Sequence, residues 1–245
     1  MRIAILLAAV TCAWAQSGLD RSVLGQMIDR QSVLRPVYGV GGSFHTDAPV
    51  AQRVLSSACA GTICLAKTES ALISGPMIVP APPGDAKIAL DSSGATIYFP
   101  SVQQFGRWQN GALTPLTLSP ALSNDGTVLA LGSGPSGLVI AVERAGTVWI
   151  VSSDGTTAGT ILDSLPPGTG TVLLTANGVV YATANALILR KSDGSELSFA
   201  ASGIEDLFQL GDGYVEARAA GVIYALRTTP GRERLFQLPQ TEPRR

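Results

Sequence analysis

The chain has 245 residues, of which 46% are hydrophobic, 14% charged and 6% aromatic, and 17 Lys+Arg stand against 18 Asp+Glu for a formal charge of −1. So apolar and weakly charged a composition is the reverse of a disordered signature, and without a basic run it offers no electrostatic footprint for nucleic acid. A single histidine excludes any multi-histidine metal site.

Residues 1–15 read as a signal peptide. Arg2 supplies the positive n-region, Ile3 to Val10 the apolar h-region, and Ala13-Trp14-Ala15 the small-residue cleavage site. Cleavage is expected between Ala15 and Gln16. The apolar run is far shorter than the roughly 20 residues that span a bilayer, so no membrane span is expected in the mature chain. Two alternatives compete: a short buried helix at an intact N-terminus, and a lipoprotein with Cys12 as the lipidated residue. Ala9-Val10-Thr11 fits a lipobox poorly, which favours simple export to the periplasm or the exterior.

Residues 16–49 follow as an N-terminal segment. Ser22–Ile28 and Ser32–Val40 look like a strand–turn–strand pair, either outer strands of an incomplete repeat or a closure element. His45, in Phe44-His45-Thr46-Asp47, reads as a loop residue at a segment junction.

Without Cys12 the exported chain keeps two cysteines, Cys59 and Cys64. An even count in an exported chain favours a disulfide. If Gly61-Thr62 form a two-residue hairpin turn, Ala60 faces Ile63 and Cys59 faces Cys64, with Cα atoms about 4.5 Å apart. Free thiols are the alternative. A redox role is disfavoured because four residues, not two, separate the pair.

Residues 50–240 repeat. Short apolar or alternating runs are bounded by Gly, Asn-Gly, Asp-Gly and Pro, a hairpin signal. Glycines 111, 155, 194 and 231 recur at spacings of 44, 39 and 37 residues, each between two strand-like runs. A second series, Gly61, Gly94, Gly137, Gly178 and Gly213, precedes an apolar strand in each unit. A period near 40 with four short strands predicts an all-β β-propeller of four-stranded antiparallel blades. The units fall at 50–83, 84–120, 121–167, 168–202 and 203–240, giving five blades, or six with the incomplete N-terminal segment. A β-sandwich or a single open sheet is the competing architecture, and 241–245 is a polar tail.

These Gly and Asp-Gly strand units resemble the degenerate repeats of the WD40-like and quinoprotein-like β-propeller superfamily over about residues 50–240. Leu34-Arg35-Pro36-Val37-Tyr38-Gly39-Val40 is similar to a segment near the start of exported bacterial propellers. The Gly-His and Trp-Asp dipeptides of WD40 repeats and the tryptophan docking motif of quinoprotein propellers are absent. The resemblance therefore implies a fold, and a fold does not set a function.

The chemistry-bearing residues are sparse. His45 is the one possible imidazole base, and no G-x-S-x-G nucleophile elbow accompanies it. Propeller hydrolases and lyases commonly work with carboxylates at the channel mouth; the candidates are Glu69, Asp85, Asp91, Glu143, Glu205, Asp206, Asp212 and Glu216. Glycosidase chemistry needs two of them about 5–9.5 Å apart, one with a raised pKa. Asp125, Asp154, Asp193 and Asp212 each precede glycine and read first as turn formers. No EF-hand, Walker loop or H-E-x-x-H motif occurs, and neither a metal nor another cofactor is expected. Trp108, Trp149 and Tyr224 occupy matching strands and are expected to pack between blades. Arg107, Arg144, Arg190 and Arg227 flank apolar strands as solvated edges.

The reading is an exported, non-catalytic β-propeller binding module whose ligand is an envelope protein or polysaccharide. The competing function is a carbohydrate-active hydrolase or lyase with paired channel-mouth carboxylates. A truncated propeller with little independent function is a third reading.

Overall fold

The computed structural model describes residues 23–40, 43–118, 126–134, 137–153 and 159–239. The expected signal peptide, its expected Ala15–Gln16 cleavage site and the polar tail lie outside these residues. All regular structure among them is β-strand.

The chain opens with a three-stranded antiparallel sheet, β1 (Val23–Ile28), β2 (Leu34–Val40) and β3 (Ser43–Thr46). The sequence suggested two strands here; the third carries Phe44 and His45, which pair with Gly39 and Tyr38. His45 is thus a strand residue, not a loop residue.

Four-stranded antiparallel meanders follow. They are β4 (Val54–Ala60) to β7 (Met77–Pro80) through β5 (Ile63–Thr68) and β6 (Ala71–Ser74), then β8 (Lys87–Asp91), β9 (Gly94–Phe99), β10 (Gln104–Gln109) and β11 (Ala112–Leu116). Next come β12 (Thr127–Gly134), β13 (Gly137–Arg144), β14 (Thr147–Ser153) and β15 (Thr160–Leu165). β16 (Val172–Thr175), β17 (Gly178–Ala182), β18 (Ala186–Arg190) and β19 (Glu196–Ala200) precede the final β20 (Ile204–Gly211), β21 (Tyr214–Ala219), β22 (Val222–Arg227) and β23 (Arg234–Gln237). The chain is a β-propeller. Its first strands β4, β8, β12, β16 and β20 touch in that order, and β20 returns to β4.

Hydrogen bonding groups the meanders into four sheets, where the repeats suggested five or six separate blades. Three are four-stranded; in the fourth, the first and last meanders fuse into eight strands through one parallel pair, Gln209 and Ala58. The three-stranded sheet wedges beside this junction. Met27 and Val37 pack with Leu210, Ile223 and Ala225 of the last meander, while Ile28 and Leu34 pack with Val54 and Ala66 of the first.

Strand alternation explains why both faces of each meander are apolar. Successive side chains of a strand point to opposite faces. In β18, Leu187 and Leu189 join the core shared with the following meander, while Ile188 packs on the core shared with the preceding one. In β9, Ala95, Ile97 and Phe99 face one neighbour and Tyr98 the other. A sandwich buries only one face of each sheet, so this two-sided pattern requires stacking around an axis.

The two glycine series mark one end of the molecule. Gly61, Gly94, Gly137, Gly178 and Gly213 sit at the hairpins joining first to second strands, and Gly111, Gly194 and Gly231 at those joining third to fourth. Gly155 lies outside the described residues. In a meander these two connections share an end, here called the hairpin end.

Candidate functional site

Two concavities lie near the axis. The central channel is lined by the beginnings of all five first strands, including Ser56, Ser57, Ile88, Ala130, Val172 and Leu207. It opens away from the hairpin end, past Asp85, Lys87 and Asp206. Its volume is about 70 Å³, room for a few water molecules. Asp85 lies 3.4 Å from Lys87, Ser56 Oγ accepts from the Ala86 N–H at 3.1 Å, and the buried Ser57 Oγ has no partner among the described residues. Beside the channel, Lys67 is fully buried and its ammonium donates to the Thr68 and Glu69 carbonyls. Burial pulls its pKa down, against the opposing pull of the Glu69 and Asp85 carboxylates.

Of the eight candidate carboxylates, only Asp85 and Asp206 line this channel. Glu69 accepts from the Gly84 N–H at 3.3 Å. Asp91 takes a two-pronged bond from the Arg107 guanidinium at 2.6 and 2.9 Å, which, with Ser93, holds its carboxyl well below the usual range. Glu143 and Glu205 are exposed on their strands. Asp212 accepts with both oxygens from the Gly61 N–H at 3.1 Å.

Glu216 is the exception. It is wholly buried against the three-stranded sheet, where its Oε2 accepts from the Ile28 N–H at 3.1 Å and its Oε1 has no partner among the described residues. Burial pushes its pKa up to about 8, with the Ile28 bond and Arg218 opposing, and Asp206 and Asp29 reinforcing. This carboxyl group belongs to interlayer packing and lines neither concavity. The raised carboxyl and the channel carboxylates are therefore different residues in different places.

The remaining candidates are structural in their surroundings. His45 stacks on Tyr38, with centroids 5.4 Å apart. Asp193 accepts from the Ser195 N–H and hydroxyl as a turn former; Asp125 and Asp154 lie outside the described residues. Trp108, Trp149 and Tyr224 pack between meanders. The arginines depart from the solvated-edge expectation. Arg107 of β10 pairs with Asp91 of β8, two strands away in its own sheet, and Arg190 of β18 with Asp163 of β15 in the preceding meander and Glu196 of the adjacent β19, at 2.9 and 2.7 Å.

The second concavity is a cleft of about 660 Å³ at the hairpin end, between β1–β2 and the first hairpins of the first and last meanders. The Cys59–Cys64 disulfide forms one wall. The bridge sits where the hairpin geometry puts it, with Cys59 opposite Cys64, Ala60 opposite Ile63, and Cα atoms 4.2 Å apart. Tyr38, Tyr214, Gln26, Thr62, Asp212 and Arg227 line the rest, together with Gly25, Gly39 and Gly211. The Arg227 guanidinium lies 5.8 Å from the Tyr214 ring centroid. A cleft of this size falls within the range of about 300–1,000 Å³ typical of ligand sites. Sequence reasoning missed it because its residues come from five separate stretches, and only the glycine series marked the end on which they meet.

No family model matches the chain, and no curated protein matches it. Solved structures do. The chain is similar to the PorZ surface component of the type-IX secretion system of Porphyromonas gingivalis, with 13% identity and a TM-score of 0.51, over 90% of this chain and 33% of that one. It thus spans about a third of PorZ. It is also similar to a chain of a nidogen/laminin complex, with 12% identity and a TM-score of 0.56, over 89% of this chain and 92% of that one. The extracellular domain of a one-component system of B. thetaiotaomicron matches with 13% identity and a TM-score of 0.46, over 89% and 33%. The likeness to the first two, at these identities, supports the propeller fold alone.

Proposed function

We propose that the chain is an exported, non-catalytic β-propeller binding module, and that its ligand, an envelope protein or polysaccharide, seats in the cleft at the hairpin end. The observation that carries this reading is the pairing of two facts: the cleft gathers two tyrosines and an arginine around about 660 Å³, whereas the candidate carboxylates are dispersed. The disulfide fits an oxidising compartment. Signal-peptide cleavage between Ala15 and Gln16 would deliver the chain there, to the periplasm or the exterior. The fused eight-stranded sheet counts in this reading as two blades, giving five around the axis, with residues 16–49 wedging the closure.

The second reading, a hydrolase or lyase, draws on Asp85 and Asp206 lining one channel. It is the weaker because the channel holds only a few waters, and a sugar ring would have to sit outside it.

The test is a crosslinking pull-down from cell-envelope extract, using the chain from Gln16 as bait beside a Tyr38→Ala and Tyr214→Ala double variant. Recovery of a stoichiometric protein or glycan by the first bait and its loss with the second is expected. Equal recovery by both baits refutes the cleft. Glycan cleavage abolished by Asp85→Asn or Asp206→Asn would establish the enzyme instead.

A further inference from the structure

Among the described half-buried arginines, four face a carboxylate and Arg227 does not. Arg35, Arg107, Arg190 and Arg218 each face a carboxylate within 4 Å. Among the described residues Arg227 has no carboxylate partner; its one contact is the Tyr214 ring, and its buried Nε has no acceptor. It is only part-exposed and lines the cleft. A partly desolvated guanidinium without a counter-ion is unfavourable, and a planar fork is best matched by a carboxylate. Asp212 lines the same cleft and accepts from the Gly61 N–H, but no ion pair within 4 Å joins it to Arg227.

The rest of the lining specifies what carries the carboxylate. Tyr38 and Tyr214 offer amphipathic rings, and Gln26 and Thr62 offer an amide and a hydroxyl with no protein hydrogen bond among the described residues. Several uncommitted donors and acceptors around aromatic faces suit a sugar, whose hydroxyls need partners and whose C–H faces need an apolar plane. One guanidinium matches a singly charged group better than a dianionic phosphate. We propose that the cleft binds a carboxylated sugar of an acidic polysaccharide, with Arg227 receiving the carboxylate and Tyr38 and Tyr214 holding the ring. The inference rests on the cleft being the binding site.

The experiment is titration calorimetry of the chain from Gln16 with a short oligogalacturonate and with the same oligomer after reduction of its carboxyls to alcohols. The acidic oligomer is expected to bind at least about tenfold more tightly, as loss of one charge-assisted bidentate contact implies. Its affinity should fall with added salt while the reduced oligomer's does not. Arg227→Gln, checked for an unchanged melting profile, is expected to bring the two affinities together. Tyr38→Ala, which leaves the Arg227–Tyr214 contact in place, is expected to weaken both. Equal binding of the two oligomers by the wild-type chain overturns the acidic specificity and leaves the cleft as the site. Binding of neither overturns the inference, and the pull-down then decides separately whether the cleft has another ligand.

Discussion

Gly25 of β1 and Gly211 of β20 lie against each other backbone to backbone. A Cβ on Gly25 would stand 1.5 Å from the Leu210 carbonyl oxygen, and one on Gly211 would stand 1.7 Å from that of Leu24. Here the three-stranded sheet meets the last meander backbone to backbone, and both glycines line the cleft. Neither obstacle is a flexible side-chain end, so the backbones themselves must part. Gly211→Ala is expected to cost about 3 kcal/mol or more, the upper range of overpacking. Gly146→Ala, where φ is +77° and no atom lies within 4 Å, should cost only the left-handed strain of about 1 kcal/mol. Thermal melts of both variants check this; equal losses would show that the glycine contact is not what seats the wedge.

The disulfide should be present and modest in effect. Labelling free thiols before and after reduction is expected to reveal Cys59 and Cys64 only after reduction. The loop it closes is short, with a sequence separation of 5, so its removal in a Cys59→Ala and Cys64→Ala double variant should cost toward the low end of about 0–5 kcal/mol. Two thiols already free in oxidised protein would contradict the staple.

What the sequence made legible follows from range. Hairpin chemistry is local, so Gly61-Thr62 predicts the Cys59–Cys64 register and the glycine series predict the strand units. The fusion of first and last meanders depends on Gln209 meeting Ala58 across the whole repeat array, which no local pattern encodes. The role of Glu216 was hidden likewise. Its neighbours in sequence, Val215 and Ala217, are apolar, but its one hydrogen-bond donor, the Ile28 N–H, is 188 residues away. The cleft is the extreme case, since Tyr38, Thr62 and Arg227 meet only after ring closure.

Packing between meanders should dominate stability. Ile97, fully buried in β9, joins Leu65 and Leu72 of the preceding meander in one core. Ile97→Ala is expected to cost about 2–5 kcal/mol through lost burial and the cavity left behind. Ile161, 57% exposed on the outer strand β15, should cost less than about 1 kcal/mol on the same change. Denaturant unfolding of the two variants gives the comparison. A larger loss at Ile161 would mean that the outer strand is covered in solution.

Glu216 should make the wedge sensitive to alkali. The groups around its carboxyl are the Ile28 N–H, Arg218, Asp206 and Asp29, and burial outweighs them in raising its pKa from 4.5 to about 8. Between those values the folded chain holds a proton that the unfolded chain has released. Stability from this group is therefore fully present below about pH 4.5, declines as pH rises, and is lost above about pH 8. The shift corresponds to a decline on the order of 5 kcal/mol, or roughly 10–20 °C in melting temperature for a chain of this size. Glu216→Gln keeps an acceptor for the Ile28 N–H and cannot ionise. The difference between wild-type and variant melting temperatures is expected to grow in the variant's favour from pH 5 to pH 9, a comparison in which titrations common to both chains cancel. Parallel profiles would mean that Glu216 ionises as freely in the folded chain as in the unfolded one, which is incompatible with its burial beneath β1.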